Sequence, residues 1–114
     1  MAVHPPPDTH ALAGPDLDDV DGITVLQALS DPVRLEIVRQ LAGCSADGEL
    51  KCGQIDLRVT KSTASHHFKI LFDAGIVGER AQGTSKYLHL RRAELEARFP
   101  GLLDSVLRAT ATAA

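Results

Sequence analysis

The chain has 114 residues, 44% of them hydrophobic, a net charge of −3 and two cysteines. That length is one domain and excludes a large enzyme with its own cofactor domain. No apolar run reaches the roughly 18 residues of a membrane span, and two cysteines do not make a disulfide framework.

The net charge hides a strong asymmetry. Residues 1–31 carry six acids and no lysine or arginine, whereas residues 58–92 carry seven bases (Arg58, Lys61, Lys69, Arg80, Lys86, Arg91, Arg92) against Asp73 and Glu79. A cationic segment inside an acidic chain is the footprint expected for a phosphate backbone, although a solvated basic face has the same composition.

The first residues, Met1-Ala-Val-His-Pro, have neither the basic nor the apolar region of a secretory signal. With Pro5, Pro6, Pro7 and Pro15 and few apolar side chains, residues 1–17 are expected to be a mobile arm, 18–108 the folded domain and 109–114 a frayed tail. Within the domain, Ile23, Leu26 and Leu29 predict the apolar side of a first helix ending at Ser30-Asp31. Asp31 is then placed to cap a second helix with Pro32 at its first position. Val33, Ile37, Val38 and Leu41 give its buried stripe, and Gly43 its end. Residues 44–51 read as a polar loop, and Cys52–Leu57 as a short third helix with Ile55 inward.

The stretch from Thr60 to Gly75 has a cap at one end and a stop at the other. At about 100° per residue, Ala64, Phe68 and Leu71 share the core stripe, and His67 lies beside it. The opposite side presents Ser62, His66 and Lys69 flanked by Thr63 and Ser65. Small hydroxyls, an imidazole and a lysine suit base edges and phosphates better than protein packing. After Gly75 the period becomes two, so residues 76–81 and 85–90 form a hairpin whose glycine-containing loop is flanked by Arg80 and Lys86. Two helical segments follow, 91–98 and 100–108, broken near Pro100. Phe99, Leu102, Leu103, Val106 and Leu107 make an apolar seam there. Helices followed by a hairpin, with an exposed polar helix just before it, describe a mainly α winged helix-turn-helix fold.

Ala28-Leu-Ser-Asp-Pro-Val-Arg-Leu35, then Lys61-Ser-Thr-Ala-Ser-His-His-Phe-Lys-Ile-Leu71 and Asp73-Ala-Gly-Ile-Val77, resemble the ArsR/SmtB family of bacterial winged-helix repressors over roughly residues 20–108. The resemblance implies a cytoplasmic homodimer on double-stranded operator DNA with twofold-related half-sites. By position it assigns DNA contacts to Ser62, Thr63, Ser65, His66 and Lys69, with Lys61 heading that face, and to a wing of Arg80, Gly83, Thr84 and Lys86. First and last helices form the family's dimer, which points to Leu26, Phe99, Leu102, Leu103, Val106 and Leu107.

Family members often sense metals, and here the sequence departs from the pattern. A Cys-x-Cys pair is replaced by Lys51-Cys52-Gly53, and residues 91–108 contain no histidine. Cys44 and Cys52 lack metal-ligand spacing and read as incidental thiols. No cofactor is evident, and a histidine-held transition-metal ion is the alternative for the signal. The runner-up function is a winged-helix module acting through a second regulatory protein. An enzyme is not supported: there is no phosphate-binding glycine loop or nucleophile elbow, and the consecutive Ser65, His66 and His67 diverge by about 100° each on a helix.

Overall fold

A computed structural model describes residues 14–44 and 49–111. Helix α1 (Gly22–Leu29) is capped by Asp21, whose carboxylate accepts from the Thr24 N–H at 2.8 Å. Helix α2 (Pro32–Ala42) is capped by Asp31, with Pro32 in the first turn as expected. Strand β1 (Glu49–Lys51) leads to a single 3-10 turn, Cys52–Gln54. Helix α3 (Lys61–Asp73) is followed by β2 (Val77–Gln82), β3 (Ser85–Leu90), α4 (Arg92–Arg98) and α5 (Leu102–Ala109). The sheet is antiparallel in the order β1-β3-β2, with Gln82 opposite Ser85 across the wing tip and Leu50 opposite Leu88. None of the described helices is long and apolar enough to cross a membrane.

One core serves all these elements. Ile37, Val38 and Leu41 from α2, Leu71 from α3, Ile76 from the link after it, and Val77 and Leu88 from the sheet are fully buried. Alternation explains the sheet's share: Leu88 and Leu90 point inward while Tyr87 and His89 stay half-exposed.

Four expectations change. The polar loop ends earlier than expected, because Glu49–Lys51 pairs with β3 and makes the wing three-stranded. The third helix shrinks to one turn, because the backbone of Asp56 is taken by a side chain of α2: the Gln40 amide donates to its carbonyl at 2.8 Å and accepts from its N–H at 3.0 Å. Ile55 is nevertheless buried. On α1 the buried side is Val25, Ala28 and Leu29, which leaves Ile23 and Leu26 62% and 45% exposed.

The fourth change concerns the expected arm. Residues 1–13 and 112–114 lie outside the described residues, but Gly14–Leu17 belong to the folded body. The Pro15 carbonyl accepts from Arg91 at 2.7 Å, the Leu17 carbonyl accepts from Arg98 at 3.2 Å, and the Leu17 side chain is buried. Leu17 covers Gly75, which ends α3 at φ +78° and whose missing Cβ would stand 2.5 Å from Leu17 Cδ2. Only glycine meets both conditions.

Candidate nucleic-acid interface

Local sequence fixes how α3 begins. Thr60 Oγ1 accepts from the Thr63 N–H at 3.2 Å and donates to Thr63 Oγ1 at 3.0 Å, which satisfies one of the helix's free N–H groups. Leu71 is buried and Ala64 and Phe68 are half-buried, so the core stripe lies where the spacing puts it. Lys61, Ser62, Thr63, Ser65, His66 and Lys69 are all exposed, and every fully exposed side chain of α3 is polar. This face lies beside the wing: Ser65, Phe68, Lys69 and Phe72 of α3 share an open groove with Cys52, Glu79 and Lys86. Gly83 and Thr84 form the exposed tip of the wing, with Gly83 at φ +62°.

The basic residues are less free than a charge count suggests. Arg80 is bound to Glu49 through two bonds, Nε to Oε2 at 3.0 Å and Nη2 to Oε1 at 2.8 Å. It also donates to Gln82 Oε1 at 2.6 Å, and its guanidinium lies 4.4 Å from the centre of the Tyr87 ring. Its side chain is only 17% exposed. The bond from Arg80 is the main reason that the Glu49 carboxyl is held below its ordinary range, against a smaller opposing effect of burial. The resemblance assigns Arg80 to DNA; its fork is instead filled by a carboxylate of β1, reached across the intervening β3.

Lys86 lies 3.6 Å from Glu79, Lys69 3.0 Å from Asp73, and Arg92 3.2 Å from Asp104. Arg91 is buried and pairs with Glu94 at 2.7 Å. Of the seven bases in the cationic segment, only Arg58 and Lys61 have no ion pair among the described residues. Arg58 is exposed in the turn before α3, so it joins the candidate contacts. Its place in the basic count was the only sign of it in the sequence. The Lys69 and Lys86 pairs are solvent-exposed on the lysine side, a kind of pair that contributes little and exchanges readily for phosphate.

The residues expected to join subunits divide into two sets. Leu103 is 5% exposed and packs with Val25, Leu29, Ile76 and Leu95 around a small internal cavity of its own chain. Phe99, Leu102, Val106 and Leu107 are half-buried against the same core, and Leu26 faces outward.

The thiols offer a poor metal donor set. Cys44 Sγ donates to the Gln40 carbonyl at 3.3 Å, and burial pushes the Cys52 thiol above its ordinary value, with a smaller opposing effect from Lys86. Among the described residues no group of three or more His, Cys, Asp or Glu side chains is arranged to hold an ion.

A polar helix beside a three-stranded wing, on a compact helical body, defines a winged-helix DNA-binding transcriptional regulator. The family model described as bacterial regulatory protein, arsR family, matches residues 31–79. The uncharacterised helix-turn-helix transcriptional regulator YceK of Bacillus subtilis (strain 168) is 36% identical over 91 residues, covering 78% of this chain and 89% of the relative. The arsenical resistance operon repressor of the same organism is 35% identical over 82 residues, 71% of this chain and 72% of that protein. Among solved structures, a possible transcriptional regulatory protein of Mycobacterium bovis superposes with a TM-score of 0.59 at 27% identity, covering 75% of this chain and 89% of that one. A possible transcriptional regulator for arsenical resistance gives 0.57 at 28% identity, covering 77% and 96%. The chain belongs to the ArsR family of bacterial regulatory proteins.

Proposed function

We propose that this regulator is a cytoplasmic, sequence-specific, dimeric repressor whose α3 enters the major groove of a twofold operator. The observation that carries this reading is the wholly polar exposed side of α3. A surface for docking another protein would present apolar side chains there. In this reading His66 and Ser65 address base edges, Ser62 and Thr63 lie at the helix entry, and Lys61, Lys69 and Arg58 take phosphates. Gly83, Thr84 and Lys86 bring the wing to the flanking backbone, while Arg80 stiffens it. Ile23 and Leu26 of α1, with the half-buried Leu102, Val106 and Leu107 of α5, supply the surface shared between two copies.

The test uses a duplex selected by the full-length protein from a randomised pool of about 30 base pairs, long enough for two half-sites a helical turn apart. Anisotropy titrations at rising salt should weaken with a log–log slope of about −0.9 per phosphate neutralised. His66→Ala should erode discrimination between the selected and a scrambled duplex, whereas Lys61→Ala should weaken both alike. Failure of the parent to bind any duplex even in dilute buffer overturns the reading.

A further inference from the structure

The Asp31-Pro-Val-Arg34 segment and the second histidine of the Ser65-His-His67 run lie far apart in the sequence and are not used by the proposed DNA contacts. They meet at one point. Arg34 Nε donates to the Ala28 carbonyl at 2.6 Å and Nη2 to the Gln27 carbonyl at 3.3 Å, the latter shared with the Ser30 N–H and hydroxyl, so the fork grips the last turn of α1. The remaining arm, Nη1, lies 3.2 Å from His67 Nδ1 on α3. Arginine only donates, so a bond at this contact uses the Nδ1 lone pair.

Asp31 completes the junction. Its Oδ2 accepts from the Val33 and Arg34 N–H groups at 2.9 and 3.0 Å and stands 3.9 Å from His67 Nδ1. Burial acting alone would raise this carboxyl, but the Arg34 N–H and guanidinium, with the Val33 N–H, outweigh it and hold the group below its ordinary value. The His67 side chain is 12% exposed, so it is turned away from the face that carries His66.

We propose that Arg34 is a positioning residue for the reading helix: by joining the carboxyl end of α1 to the ring of His67, it sets the pose of α3, and neither side chain contacts DNA. The inference rests on the operator-binding reading above and adds a coupling to it. A shift of α1, the helix offered to the partner subunit, pulls through a rigid planar fork on the helix that reads the duplex. The chain therefore has a direct mechanical link from assembly to recognition, three residues deep and independent of any metal.

The test compares Arg34→Lys, Arg34→Met, His67→Leu and His67→Asn on the selected duplex. Affinity is taken per active protein, with salt slope and Tm recorded for each. Arg34→Met and His67→Leu should each weaken binding about tenfold, and the double variant no further than the weaker single. Arg34→Lys keeps the charge but not the three-way fork, so it should bind like Arg34→Met. His67→Asn, whose amide oxygen can accept near the position of Nδ1, should recover to within about threefold of the parent. The salt slope should stay parental throughout, because no phosphate contact is lost. A role confined to stability would lower Tm and leave the affinity of the folded fraction unchanged. Additive losses, a shallower salt slope, or parental binding by Arg34→Lys and His67→Leu would each overturn the proposal. If the parent binds no duplex, the operator reading fails; if the parent binds and Arg34→Lys matches it, only the positioning role fails.

Discussion

Arg80 shows how one pairing alters a surface. Its charge is adjacent to the wing tip in the sequence, yet two N–H groups are committed to Glu49, a third to Gln82, and one face to Tyr87. Glu49→Gln removes the carboxylate and keeps the shape. The Arg80 charge is then uncompensated beside the proposed DNA-facing groove. Anisotropy across a salt series should show a slope steeper by up to about 0.9, the contribution of one added phosphate contact. Arg80→Gln, by contrast, should leave the parental slope unchanged. A shallower slope in Arg80→Gln would mean that DNA already displaces Glu49.

At the level of elements, two of the glycines at positive φ, Gly75 and Gly83, separate two costs. Gly83 has open space around its missing Cβ, so Gly83→Ala carries only the left-handed backbone penalty of about 1–2 kcal/mol. Gly75→Ala carries the same penalty and also drives the new methyl into Leu17. For a domain this size each kcal/mol lowers Tm by roughly 4–8 °C, and thermal melts should therefore rank Gly75→Ala well below Gly83→Ala. Equal shifts would mean that the Leu17 turn yields freely.

Acid sensitivity belongs to the same scale. Asp31, Glu49 and Glu94 are all held below their ordinary values in the folded chain, the last two chiefly by bonds from Arg80 and Arg91. Such groups add stability that is fully present above the unfolded values, 3.8 for Asp and 4.5 for Glu. That stability drains as pH falls through them toward the folded values, because the unfolded chain takes up protons first. Urea midpoints should fall steeply below about pH 4.5 and change little from these groups between pH 5 and 7. In Glu49→Gln the acid limb should be shallower.

The caps and the two-residue periods were legible in the sequence because they are local. Asp31-Pro32, Thr60, Gly75 and the presence of the hairpin each depend on neighbours within a few positions. What was not legible depended on distant partners. The third helix gave way to a side chain of α2 at Gln40, strand β1 exists only through β3, and the Pro15–Leu17 segment is anchored by Arg91 at Pro15 and Arg98 at Leu17. Which apolar side of α1 is buried depends on distant partners too: Ile23, Leu26 and Leu29 fit a stripe nearly as well as Val25, Ala28 and Leu29, and only packing on α2 and α3 decides between them. In the site, the exposed polar face of α3 followed from the helical period. The pairing of five of the seven bases did not, because composition counts charges and not their partners.

On the scale of the whole molecule, assembly and recognition should be separable by choosing side chains according to what buries them. Ile23 and Leu26 are 62% and 45% exposed in the single chain, so nothing among the described residues requires them to be apolar. Leu103 is 5% exposed, and a charge there would be left buried and unpaired. Leu26→Asp should therefore give a folded monomer, with parental circular dichroism and half the parental mass by sedimentation. Leu103→Asp should lose helix signal and cooperative melting before it says anything about subunits. A monomer brings one α3 and one wing to the duplex instead of two, so Leu26→Asp should also bind the selected duplex with about half the parental salt slope. A Leu26→Asp protein that sediments as a dimer would move the shared surface away from α1. One that is monomeric with an unchanged slope would show that a single copy already makes all the phosphate contacts.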